Sequence, residues 1–168
     1  TNYFPGLIQL YCAKMIDALS KQDYAGYNQA ETPSYLVERD HIKKVLADPT
    51  FMDQIREKFE ITLRLGNDRY YYIIALLMAY LYYMRSSHNG YTPEDILAQI
   101  NDFSIMDFQG FNAEQIEALM EELCELNVFR KKNQHRYLFS RYTFFQLMGT
   151  QAEVEDKLLE VTEGDSND

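Results

Sequence analysis

The densest concentration of side chains able to do chemistry is the stretch "RKKNQHRYLFSR", where Arg130, Lys131, Lys132, His135, Arg136 and Arg141 fall within twelve residues. Cations at this spacing suit three tasks: contact with phosphate in a nucleic acid or nucleotide, pairing with an acidic protein surface, or guarding the edge of a solvated hairpin. An acidic partner is close at hand in the segment 112–126. It carries Glu114, Glu117, Glu121, Glu122 and Glu125 without one Lys or Arg.

Other constellations are weaker. The glycines stand at 6, 26, 66, 90, 110, 149 and 164, too far apart to build the phosphate cradle of G-x-x-x-x-G-K-[ST]. His41, His88 and His135 are far from one another and from Cys12 and Cys124, so no metal-ligand spacing arises, and each histidine reads as a surface residue. Both cysteines lie between apolar neighbours, as packed, reduced thiols do in a cytosolic protein. The carboxylate pairs Glu94-Asp95 and Glu121-Glu122 sit in helical patterns where acids mark a solvated face. No catalytic constellation is expected in this chain, and no metal.

These residues must be positioned by a mainly helical scaffold. Leu7, Ile8, Leu10, Tyr11, Met15, Ile16 and Leu19 keep the spacing of an amphipathic helix over 5–20, with Pro5 in its first turn. A short strand at "YLV", a helix over 38–47 ended by Asp48-Pro49, and a third helix stopped by Gly66 complete a first helical subdomain, residues 1–66. The run from Arg69 to Arg85 is apolar on nearly every side, so it must be buried all round; it is expected to pin the two halves together. Thr92 caps a helix over 93–100 with Pro93 at its first position. "NDFSIMDFQGF" reads as a loop, and Asn112 caps the acidic helix 112–126.

The period then changes from helical to alternating. "NVFRKKNQHRYLFS" predicts a β-hairpin, strands near 127–131 and 136–140, around Lys132-Asn133-Gln134. Three helices followed by a hairpin form the order of a winged-helix domain, here residues 67–150, with a C-terminal helix and acidic tail over 151–168. In that fold the helix 112–126 would enter a DNA groove, where its five acids oppose phosphate, so nucleic acid is left to the basic wing.

Charge sharpens this picture. Residues 1–89 balance ten bases with ten acids, and 90–128 hold nine acids and no base. Residues 129–149 hold five bases and no acid, and 150–168 hold seven acids and one base. An apolar share of 46%, with 14 Tyr and 10 Phe, supports a packed core in which the Tyr and Phe stripes are core rather than a base-stacking platform. The most apolar run, 70–83, makes about 20 Å of helix against the roughly 30 Å of a bilayer core, so no membrane partner and a cytoplasmic location are expected.

Three stretches resemble a known family. "TNYFPGLIQLYCAKMI" is similar to the lid motif of prokaryotic STAND-type and related AAA+ ATPases, a Gly-x-Pro element leading into P-x-L-I-Q-x-x-C. "REKFEITLRLGNDRYYYIIA" resembles the family's entry into the next helix, and residues 111–158 resemble its winged-helix end. The resemblance implies a P-loop domain upstream of Thr1, with ATP or ADP bound there and no cofactor held by this piece alone. It implies a regulatory lid, a possible protein partner or self-association, and one nucleotide-proximal residue, Pro5. Tyr3 stands where the family has glycine, and "LFSRYTFF" keeps Arg141 of an L-R-S-P-N stretch without its proline. The opening without Met is then expected to be a cut just after an ATPase core.

Overall fold

A computed structural model describes residues 5–20, 37–64, 69–85 and 89–163 of the chain. Among these the architecture is mainly helical, with one two-stranded antiparallel hairpin. The chain divides into two compact units, Thr1–Phe59 and Glu60–Asp168. The division falls inside the third helix.

The first unit holds α1 (Pro5–Ser20), α2 (Arg39–Leu46) and most of α3 (Pro49–Arg64). Its core is Met15, Val45 and Phe51, against which Leu10, Tyr11 and Ile55 pack. Pro49 ends α2 and opens α3, and Asp48 accepts hydrogen bonds from the N–H groups of Thr50 and Phe51. The "YLV" strand falls mostly outside the described residues, and Val37 belongs to no strand. Two expectations are corrected here. His41 is not a surface residue: it is 8% exposed, and its Nδ1 accepts the backbone N–H of Glu38 in a reciprocal cap of α2. Cys12 is exposed instead of packed, because it lies off the buried stripe of α1. His88 lies outside the described residues.

The second unit is built on α4 (Tyr70–Arg85), buried at nine positions from Tyr72 to Leu81. Around it pack α5 (Pro93–Asp102), α6 (Ala113–Glu125) and α8 (Gln151–Glu163). The hairpin β1 (Phe129–Asn133) and β2 (Arg136–Phe139) and the short α7 (Tyr142–Leu147) close the remaining side. Thr92, Asn112 and Thr150 cap α5, α6 and α8, each accepting from the backbone N–H three residues on while the side chain there reciprocates.

Three details depart from the sequence reading. The stretch 101–111, read as a loop, begins with the end of α5 at Asp102 and then contains a single 3-10 turn, Met106–Phe108, where Phe108 is buried against Tyr70. The hairpin turns at Gln134-His135, one residue later than expected, because an irregularity between Lys131 and Asn133 absorbs Lys132. A one-residue bridge, Tyr91 to Tyr137, lays the chain before α5 against the outer side of β2, with both backbone hydrogen bonds at 2.9 Å.

Candidate functional site

The sequence marks the hairpin, and the structure joins it to α6. Residues 116, 120 and 123 turn their side chains into the core, which leaves Glu117 and Glu121, one turn apart, on a neighbouring face. In the hairpin, Lys131 lies directly opposite Tyr137. The Tyr137 ring is fully buried, and its hydroxyl donates to Glu117 at 3.0 Å and Glu121 at 2.7 Å. Lys131 Nζ donates to Glu121, lies 3.8 Å from Glu117 and sits 5.3 Å from the centre of the Tyr137 ring. His135 Nδ1 is 3.5 Å from Glu117.

The electrostatics follow from these contacts. Burial, followed by the hydrogen bonds to two carboxylates, pushes the Tyr137 hydroxyl far above the usual phenol range. The Lys131 hydrogen bond, helped by that of Tyr137, holds Glu121 below the usual carboxylate range, and Glu121 in return raises Lys131. One residue on, Glu122 accepts a hydrogen bond from Tyr71 and pushes that hydroxyl up to about 12. Asp95 serves the α5 cap and lies 3.4 Å from Arg85. The carboxylate pairs are therefore not a purely solvated face: Asp95, Glu121 and Glu122 each have a named partner.

The remaining basic residues do not gather into one patch. Lys132 Nζ donates to Asn89 Oδ1 at 3.2 Å, and Arg136 Nη1 donates to the Gly90 carbonyl at 2.8 Å. Arg130 and Arg141 are exposed, and no side-chain hydrogen bond or ion pair to either occurs among the described residues. Strand alternation is the cause, since neighbours in sequence face opposite sides of the hairpin. Pro5 opens α1 far along the chain from this cluster, and Tyr3 lies outside the described residues.

No family model matches the chain, and no curated protein or solved structure matches it. The resemblance to STAND and AAA+ ATPases therefore rests on the motifs themselves. No helix among the described residues is long and apolar enough to cross a membrane.

Sequence reasoning missed Tyr137, Tyr91 and Gly90. Tyr137 looked like one more core aromatic, and a bridge of a single residue leaves no periodicity to read. Gly90 did carry a signal, since it stands two residues before a capping threonine. Its φ is +76°, and a Cβ there would lie 2.6 Å from the Tyr137 carbonyl oxygen. Only glycine lets the 89–91 segment come so near β2.

Proposed function

We propose that the second unit is a winged-helix module that works through protein contacts as the regulatory part of a larger nucleotide-binding ATPase, with α1 to α3 as its lid. Support for the winged helix comes from element order: α4, the Tyr91 bridge, α5, α6, then β1 and β2, with the bridge supplying a third, minimal strand. The observation that carries the functional reading is the pairing of Tyr137 and Lys131 with Glu117 and Glu121. It commits the one lysine opposite Tyr137 to α6, whose surface otherwise stays anionic, and an anionic helix is repelled by phosphate. A helix of this kind serves contact with basic or polar protein surface.

The nucleotide belongs to the upstream P-loop domain in this reading. The start of α1 fits only a modest role beside it. Gly6 is exposed, and the first turn of α1 carries no basic residue to meet a phosphate. Nucleotide release from the whole polypeptide, measured with and without residues 67–168, tests the proposal. Altered release is expected, and identical release rates would remove the regulatory role. A second reading, contact with nucleic-acid backbone through the wing, is favoured only by the unpaired guanidiniums of Arg130 and Arg141.

A further inference from the structure

A cavity of about 320 Å³ opens between α4, the 91 bridge, the hairpin and α7. That volume lies at the lower end of the range for small-molecule sites. Its walls are aromatic. Phe145 is the centre of a cluster with Tyr82 at 4.3 Å, Tyr142 at 5.5 Å and Phe139 at 6.1 Å between ring centres. Leu138 and Arg130, directly opposite each other across the two strands, line it from the hairpin.

The polar groups around the cavity divide into two sets. The Tyr91 hydroxyl already donates to the Leu81 carbonyl at 2.8 Å, and the Ser140 hydroxyl to the Asn127 carbonyl. By contrast, no hydrogen bond among the described residues engages the Arg130 guanidinium or the Tyr82 and Tyr142 hydroxyls, and all three line the cavity. A planar fork of donors without a partner, beside aromatic faces, is complementary to one carboxylate on a flat apolar body. It is a poor match for a polyphosphate, because Arg130 is the only cation among the lining residues.

We infer that this cavity binds a small aromatic monocarboxylate, with its ring against Phe145 and Tyr82 and its carboxylate on Arg130. The site uses none of the groups that tie the hairpin to α6, so it stands or falls apart from the function proposed above.

The test is titration of the 168-residue chain with 2-naphthoate, followed by two-dimensional amide NMR, beside the neutral analogue 2-naphthalenemethanol and beside acetate. Naphthoate is expected to shift the amides of Tyr91, Leu138 and Phe145 with a Kd on the order of 1 mM, the range for a ligand this small. Arg130→Gln should weaken naphthoate roughly tenfold or more and leave the neutral analogue unchanged. Arg130→Lys, which keeps the charge and loses the fork, should fall between them. Arg130 is exposed, so an otherwise unchanged spectrum will report that each variant is folded. No binding, equal binding of the charged and neutral probes, indifference to Arg130→Gln, or shifts centred elsewhere would each overturn the assignment.

Discussion

The Tyr137 hydroxyl donates to Glu121 across 2.7 Å, from the middle of the hairpin to the third turn of α6. The hairpin is thereby held by a buried ring with a polar end as well as by apolar packing. A tyrosine placed this way loses its hydrogen bond without losing its packing when it is changed to phenylalanine. Tyr137→Phe is expected to lower the stability of the second unit by about 1 kcal/mol, read from urea unfolding.

Acid should loosen the same contact. Glu121 has its carboxyl held below the ordinary value of 4.5 in the folded chain, chiefly by Lys131 and then by Tyr137. A carboxylate lowered on folding contributes stability that is complete above the unfolded value and is lost as pH falls through the lower, folded one. The side chain is 43% exposed, so solvent screening limits the effect to under about 1 kcal/mol. The thermal midpoint should drop as pH is taken below 4.5, and Glu121→Gln should make that drop smaller. An identical pH profile in the variant would remove Glu121 from the account.

Gly90 and Gly110 both have positive φ, +76° and +82°, but they differ in what surrounds them. A Cβ at Gly90 meets the Tyr137 carbonyl at 2.6 Å, whereas one at Gly110 meets nothing within 4 Å. Gly110→Ala should cost about 1 kcal/mol from the backbone alone. Gly90→Ala should cost clearly more, about 2–3 kcal/mol, since the 91 bridge must move to admit the methyl group. Equal losses in the two variants would mean that the bridge does not constrain the segment.

Lys157 of α8 donates to Glu60 near the end of α3 and to the Met148 carbonyl at 3.2 Å. The pair is largely enclosed, with side-chain exposures of 21% and 17%. Removing one member strands the other, so Lys157→Met should cost about 3 kcal/mol. The double variant with Glu60→Gln should lose less than the sum of the two single losses, with a coupling of roughly 1–2 kcal/mol in a double-mutant cycle.

Much of this arrangement is legible in the amino-acid order. The bounds of α1, the caps Thr92, Asn112 and Thr150, and the hairpin all follow from spacing and local chemistry. So does the burial of α4, since a helix apolar on every face has nowhere else to go. What local pattern does not carry is pairing across distance. The basic run reads as one patch along the chain, yet alternation sends Lys131 towards α6 and Arg130 towards the cavity behind it. The role of His41 was within reach, because it stands three residues after Glu38, the spacing of a reciprocal cap. The Tyr91 bridge was not, since only the folded chain brings it beside Tyr137.

The central claim of the proposal is that α6 is an anionic contact helix tied to the neighbouring hairpin and does not read nucleic acid. Fluorescence anisotropy with duplex DNA and with single-stranded RNA, across a salt series, tests it most directly. The account predicts at most weak, sequence-indifferent binding that salt abolishes and that Arg130→Glu with Arg141→Glu removes, while Glu114→Gln and Glu125→Gln on α6 do not create selectivity. Tight, sequence-selective capture of a duplex that is lost on substituting the exposed residues of α6 would contradict it.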